Sequence, residues 1–219
     1  MTVTEKKTKE KILNLIKDND NFFIIGCGEC ATTCKTGGEN EVAEMKEFLT
    51  QNGKIVTGGG VCQTTCDIRL VKKFIRGHKE EFEQSDALII LACGAGLQAI
   101  RQFSDKKLIS GTNTLFLGTT ERLGTYSEFC MECGTCTVSQ TFGFCTKTRC
   151  AKGLVNGPCG NATKEGKCEQ GSDKPCVWVE IFNYLKENGI EDQFMKIQVN
   201  NDYSKAHKPR KIKDYKKVY

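Results

Sequence analysis

The stretch FFIIGCGECATTC, residues 22–34, contains the pattern that decides the fold. Its first four residues are apolar and end in Gly26-Cys27, which predicts a short buried strand followed at once by a turn. The same pattern returns in ALIILACGAG, residues 87–96, and in weaker form in KIVTGGG, residues 54–60. Segments with helical periodicity lie between these strands. Short buried strands that alternate with helices indicate a parallel sheet that is covered on both faces.

We therefore predict an α/β protein with a Rossmann-like or flavodoxin-like parallel sheet, in which residues 113–118 form the fourth strand. A small, irregular, cysteine-rich domain follows, and it has too few apolar runs to pack a core without a metal staple. Within it, a helix is predicted from Pro175 to about Asn188. The predicted parts are an N-terminal amphipathic helix within residues 1–19 (residues 4–18), the α/β domain at 20–124, the cysteine-rich domain at 125–190 and a basic tail at 191–219.

The cysteine content is the unusual feature of the composition. The chain has 219 residues, of which 38% are hydrophobic, 14 are cysteine and only two are histidine. Its first twenty residues are highly charged and show no secretory signal, which predicts a cytoplasmic location. Cytosolic thiols stay reduced, so clustered cysteines there indicate metal binding rather than disulfides. With so little histidine, the sites would be almost entirely thiolate, a ligand set that suits zinc and iron–sulfur clusters.

One group of cysteines follows the predicted strands. Because parallel strands present their carboxyl ends at one edge of a sheet, these thiols are expected to converge there. The group consists of Cys27, Cys30, Cys34, Cys62, Cys66 and Cys93. We predict a four-iron cluster held mainly by Cys27, Cys34, Cys66 and Cys93, with Cys30 or Cys62 as substitutes. The alternatives are buried, unliganded thiols, or a nucleotide pocket that rests on the glycine-rich turns.

Glycines accompany these cysteines and would let the backbone approach a bulky cofactor. The predicted cofactor-binding glycines are Gly26, Gly28, Gly94 and Gly96. Gly58-Gly59-Gly60 and Gly94-x-Gly96 could also cradle a phosphate, but neither completes a dinucleotide or P-loop motif.

The second group of cysteines opens with the triplet Cys130-x2-Cys133-x2-Cys136, which matches the first three ligands of a bacterial ferredoxin run. The fourth cysteine of that run is missing at close spacing, so a fourth ligand must come from further along the chain. The remaining cysteines of the group are Cys145, Cys150, Cys159, Cys168 and Cys176. Eight thiolates suit two four-coordinate sites, either two clusters or one cluster and one zinc. The lone triplet favours iron–sulfur over a purely structural zinc ribbon, which uses two C-x-x-C pairs.

Charge argues against a nucleic-acid-binding core. Residues 191–219 carry a net charge of +4 out of +5 for the chain, which leaves the body nearly neutral. The tail is interpreted as a solvated segment, with a docking arm for an acidic partner or RNA as the alternative. No apolar run approaches the length of a membrane span. No catalytic constellation is recognisable, so no catalytic residue is predicted.

The stretches CMECGTCTVSQTFGFCTKTRCAKGLVNGPCGN (130–161) and GKCEQGSDKPCVWVEIFNYL (166–185) closely resemble the cysteine-rich C-terminal domain of certain methylenetetrahydrofolate reductases. GCGECATTCKTGGE (26–39) and LACGAGLQAI (91–100) are similar to the first domain of the small subunit of the two-subunit reductase of acetogenic bacteria. The resemblance spans about residues 20–190.

The resemblance implies a non-catalytic, electron-transferring subunit of an oxidoreductase in one-carbon metabolism, in the Wood–Ljungdahl pathway of anaerobes. In that family a separate flavin-binding TIM-barrel subunit reduces the folate, and this chain is too short to contain such a barrel beside its cysteine domain. The expected cofactors are one to three [4Fe–4S] clusters, with zinc at one site as an alternative, and the flavin belongs to the partner. The expected donor is a ferredoxin or another redox subunit. The alternatives from other classes are a zinc-stapled scaffold for the flavoprotein and a zinc module that binds nucleic acid.

Overall fold

The computed structural model describes residues 1–171, 173–198, 202–206 and 211. The chain divides into two compact units, residues 1–127 and residues 128–219. The helices and strands in chain order are β1 (Thr2–Lys6), α1 (Lys9–Leu15), β2 (Asn21–Cys27), α2 (Cys30–Thr33), α3 (Glu39–Gln51), β3 (Ile55–Cys62), α4 (Ile68–Gly77), α5 (Lys79–Glu83), β4 (Ala87–Leu91), α6 (Gly94–Arg101), β5 (Lys107–Ser110), β6 (Thr112–Arg122), β7 (Thr125–Cys130), α7 (Thr146–Arg149) and α8 (Val177–Glu187).

A four-stranded parallel sheet with the order β3-β2-β4-β5 forms the centre of the first unit. Numbered among themselves, these strands run 2-1-3-4, the order of flavodoxin-like folds. The central strands β2 and β4 are buried on both faces. One face packs Phe22 and Ile24 into one apolar cluster, and the other packs Phe23 and Ile25 into a second. The predicted parallel α/β sheet is therefore confirmed.

Two details of the predicted fold are wrong. Residues 4–18 are not one helix, because β1 occupies Thr2–Lys6 and α1 covers only Lys9–Leu15. Residues 113–118 do form a strand, but they lie in β6, which pairs antiparallel with β1 in a separate sheet with the order β1-β6-β7. The fourth parallel strand is the short β5.

The triple glycine 58–60 lies inside β3 rather than in a turn after it. Gly59 has a φ of +137°, and a Cβ there would lie 2.3 Å from the carbonyl oxygen of Ile24 on the neighbouring strand. The close approach of two strands explains this glycine. The geometry gives no phosphate-cradling turn at this position, contrary to the nucleotide alternative.

The second unit has little regular structure. The helix predicted from Pro175 to about Asn188 is α8, Val177–Glu187, and its buried face supplies the apolar cluster of this unit. That cluster consists of Val177, Trp178, Ile181 and Leu185. The Glu180 carboxylate accepts a 2.6 Å ion-paired hydrogen bond from Arg149 of α7. Most of the predicted basic tail lies outside the described residues, since 199–201, 207–210 and 212–219 are not among them. None of the described helices is long and apolar enough to cross a membrane.

Candidate metal centres

The ends of the parallel strands bring cysteines of the first unit to one edge. Cys27 and Cys62 are the last residues of β2 and β3 and are paired directly across the two strands. Cys93 follows β4 and is the N-cap residue of α6. These residues are remote in sequence, and they meet because parallel strands end on the same side of a sheet.

Two further cysteines enter from the loops at that edge. Cys30 begins α2, and Cys66 precedes Asp67, the N-cap residue of α4. Although Cys66 is exposed as a residue, partial desolvation is the largest factor that raises the pKa of its thiol. The negative charges of the Cys93, Cys27 and Cys30 thiolates raise the Cys66 pKa further. Cys62 also interacts with Cys66. Cys66 and the four thiols that interact with it are called the edge thiols: Cys27, Cys30, Cys62, Cys66 and Cys93.

The charges at this edge favour a bound cation. Burial raises the pKa of the Cys62 thiol, and so do the nearby negative charges of Cys27, Asp67 and Cys66. Ionising several of these thiols together costs free energy, which a metal cation among them would offset. The buried hydroxyl of Thr65 lies in the same loop and has no hydrogen-bond partner among the described residues. A buried hydroxyl of this kind could donate a hydrogen bond to a metal-bound cysteine sulfur.

Cys34 lies apart from the edge thiols. It is buried, and its thiol donates to the carbonyl oxygen of Thr2 in β1 at 3.9 Å. Cys30 is the first residue of α2 and Cys34 is its C-cap residue, so the two lie at opposite ends of this helix. The sequence predicts a helix over residues 4–18 and no strand before it, so it gives no sign of β1 or of this contact.

The glycines predicted to bind a cofactor also have packing roles. A Cβ on Gly26 would lie 2.4 Å from the carbonyl oxygen of Gly37, and a Cβ on Gly96 would lie 2.3 Å from the hydroxyl oxygen of Thr65. The N–H of Gly28 donates to the Cys62 carbonyl at 2.8 Å, and that of Gly94 donates to the Thr114 hydroxyl at 2.9 Å. These contacts fix the loops that carry the edge thiols.

The first four cysteines of the second unit line one cavity of about 330 Å³. This large cysteine cavity contains the sequence triplet and adds Cys145, a nearby candidate for the missing fourth ligand. Its cysteines are Cys130, Cys133, Cys136 and Cys145. The buried side chain of Lys147 also lines it, and the Lys147 ammonium donates to the Cys133 sulfur at 3.5 Å. Lys147 does not stand out in the sequence, where its place two residues after Cys145 is the only available signal.

The last four cysteines line a much smaller space of about 20 Å³. These cysteines are Cys150, Cys159, Cys168 and Cys176. A backbone bridge holds two of them near each other, because the Cys168 N–H donates to the Lys174 carbonyl and the Cys176 N–H donates to the Gly166 carbonyl. The buried indole N–H of Trp178 lines this small cysteine cavity and has no hydrogen-bond partner within the described ranges. It suits a thiolate acceptor.

All fourteen cysteines are free thiols. Among the residues that the structure describes, no three Cys, His, Asp or Glu side chains are arranged so that they could hold a metal without adjustment. The backbone therefore groups the sulfurs, while the side chains do not have ligand geometry. The donor chemistry fits thiophilic metals, because each group is made of thiols and two groups have an unpartnered buried donor beside them.

Residues 109–204 match the family described as "Methylene-tetrahydrofolate reductase C terminal". The match confirms the resemblance predicted from the cysteine-rich stretches, and it contains both cysteine cavities of the second unit. The match to this reductase family does not include residues 1–108, which carry the edge thiols. No curated protein and no solved structure matches the chain.

Proposed function

We propose that this chain is the iron–sulfur electron-transfer subunit of a two-subunit methylenetetrahydrofolate reductase. It takes electrons from a donor such as a ferredoxin or another redox subunit and passes them to the flavin of a catalytic partner. The chain itself does not reduce the folate. The family match of residues 109–204 supports a place in such a reductase complex.

The observation that carries this proposal is the arrangement of the eight C-terminal cysteines. They divide, in chain order, into two sets of four, and each set lines its own cavity. Four thiolates complete the ligand shell of one [4Fe–4S] cluster or of one tetrahedral zinc. Two separate four-thiol sites are more than a single structural zinc requires.

The sizes of the two cavities suggest different occupants. The large cysteine cavity, about 330 Å³ in volume, has room for a cluster, and Cys130, Cys133, Cys136 and Cys145 would hold it. The small cysteine cavity, about 20 Å³ in volume, has room for one body of about the size of a water molecule, which suits a single zinc ion. A bound cluster supplies one-electron transfer at a potential set by its surroundings.

A further cluster is proposed at the edge thiols of the first unit. The sequence favoured Cys34 as a ligand, but its thiol contacts the Thr2 carbonyl, whereas Cys30 acts electrostatically on Cys66. We therefore propose Cys27, Cys30, Cys66 and Cys93 as the ligands, with Cys62 in reserve. Gly26, Gly28, Gly94 and Gly96 hold the loops that present them.

Anaerobic purification followed by analysis of iron, sulfide and zinc per chain tests the proposal. We expect at least one four-iron cluster and about one zinc. Cys133→Ser should lower the iron content and leave zinc unchanged, and Cys168→Ser should do the reverse. The two variants are matched controls, because each removes one thiol from one of the two cavities.

The second candidate function is a zinc-stapled scaffold that only positions the flavoprotein. The small cysteine cavity favours it, because a single ion is all that this cavity accommodates. An anaerobic preparation that contained zinc alone would contradict electron transfer and leave this candidate. Brown colour that is lost on reduction would contradict the scaffold.

A further inference from the structure

Among the described residues, Lys147 is the one charged side chain that is buried. It lies on α7, two residues after Cys145, the fourth cysteine of the large cysteine cavity, and only 8% of it is exposed. Lysine is almost never buried to this extent unless its charge is matched, because transferring an ammonium group out of water costs several kcal/mol. The groups around this ammonium therefore have to stabilise its charge.

The contacts of Lys147 direct its charge at a sulfur atom. Its Nζ donates to the Cys133 Sγ at 3.5 Å and to the Thr135 carbonyl at 3.1 Å. The same Nζ lies 5.9 Å from the centre of the Tyr203 ring. The sulfur contact involves the middle cysteine of the triplet, so the cation lies at the wall of the cavity that the four cysteines share.

We propose that Lys147 is a positioning residue that raises the reduction potential of the centre held by the large cysteine cavity. This inference rests on the proposed electron-transfer function. On reduction the centre gains one electron from a one-electron donor, and on reoxidation it gives that electron to the next acceptor. No bond forms or breaks, and Lys147 keeps its proton throughout. An adjacent cation stabilises the more negative, reduced form, and a hydrogen bond to the ligand sulfur acts in the same direction.

The other two cysteine groups have different charge surroundings. Beside the small cysteine cavity, Lys152 pairs with the Glu169 carboxylate and also interacts with the Cys159 sulfur. At the edge thiols, the charged neighbours that act on Cys62 are Cys27, Asp67 and Cys66, and the Asp67 carboxylate is paired with Arg69 at 2.7 Å.

The test is a redox titration of the full chain, purified without oxygen, with iron and sulfide measured on each sample. Lys147→Met removes the charge at similar length, Lys147→Gln keeps a hydrogen-bond donor without the charge, and Lys147→Arg keeps the charge. Lys186→Met, at an exposed position of α8, removes the same charge from the surface and is the control.

We expect the Met and Gln variants to shift the midpoint of one centre downward. The expected shift is about tenfold in the ratio of reduced to oxidised centre at a fixed ambient potential, which corresponds to 59 mV for a one-electron couple. The Arg variant and the Lys186 control should stay close to the unmodified protein. Full iron content with an unchanged midpoint potential in both charge-free variants would overturn the role of Lys147. The proposed electron-transfer function would not be affected by that result.

Two other outcomes are also decisive. Loss of iron from the Met and Gln variants with retention in the Arg variant would assign Lys147 to cluster assembly and overturn its assignment to the potential. Absence of iron from the unmodified chain would refute the electron-transfer function, and the inference would be lost with it.

Discussion

Removing the metal should unfold the second unit and leave the first one folded. The second unit has a single described cluster of four buried apolar residues, all on α8. At about 1.5–3 kcal/mol for each fully buried side chain, their burial contributes at most about 6–12 kcal/mol, which is an upper estimate because unfolded chains already bury some surface. A structural zinc site contributes about 10–16 kcal/mol to the folding of a zinc-finger peptide. The free energy that a bound metal contributes to folding is therefore as large as the free energy from burying all four of these side chains.

The first unit does not depend on metal in this way. Its sheet is covered by two apolar clusters with eleven buried residues each. Loss of a metal from the edge thiols would leave these clusters intact, since Phe22–Ile25 and Ala87–Leu91 make their contacts within the core. We expect a partly folded chain, not a globally unfolded one.

Limited trypsin digestion with mass spectrometry measures this difference. After chelation in the presence of reductant, cleavage sites between residues 128 and 198 should become accessible many times faster than those in the first unit. Amide exchange should show the same contrast between α8 and β4. The metal-loaded chain under the same protease is the control. Equal cleavage of the second unit with and without metal would refute the reasoning, because it would show that the cysteines do not staple it.

Three further predictions concern the first unit. Cys93→Ser should lower the iron content by about one cluster and slow electron delivery to the flavin partner, while the partner's own reaction with artificial dyes stays intact. Gly96→Ala should destabilise the native state by about 1–3 kcal/mol in urea unfolding, because the new Cβ would lie 2.3 Å from the buried Thr65 hydroxyl. The control is Gly77→Ala, which should not destabilise the native state, because nothing lies within 4 Å of the new Cβ. Equal effects of the two substitutions would contradict the packing argument. In the metal-free, reduced chain the pKa of Cys62 is raised from 9.0, chiefly by burial. The contribution of Cys62 to the free energy of unfolding should therefore be fully present below pH 9.0 and be lost as the pH rises through the folded-state pKa. Cys62→Ala should flatten that loss, and the same slope in both proteins would refute this prediction.

The parallel sheet could be predicted because its signal is local. β2 and β4 are buried on both faces, so each appears in the sequence as an unbroken apolar run. β1 could not be predicted in this way, because its pairing partner β6 lies more than a hundred residues away and its own residues are mostly polar. β5 has only four residues, which are too few to show the hydrophobic pattern of a strand.

The candidate sites show the same limit. Strand ends carry Cys27, Cys62 and Cys93 to one edge, and a rule about parallel sheets is enough to expect this. Whether Cys30 or Cys34 faces that edge depends on how the single turn of α2 is oriented, which periodicity does not encode. The division of the eight C-terminal cysteines into two cavities depends on irregular backbone, for which the sequence offered only spacing.

The edge thiols differ in how far they are built into the core. Cys27 and Cys62 are members of one of the two apolar clusters of the sheet, and Cys62 is only 1% exposed. A small, weakly polar side chain serves at these two positions whether or not a metal is bound. In related chains, cysteine at either position is therefore a poor marker of a functioning centre. The other three edge thiols lie outside that cluster: Cys30, Cys66 and Cys93. In relatives that no longer bind the metal, these cysteines could be replaced without loss of core packing. The three positions should therefore distinguish redox-active relatives from those that keep only the fold.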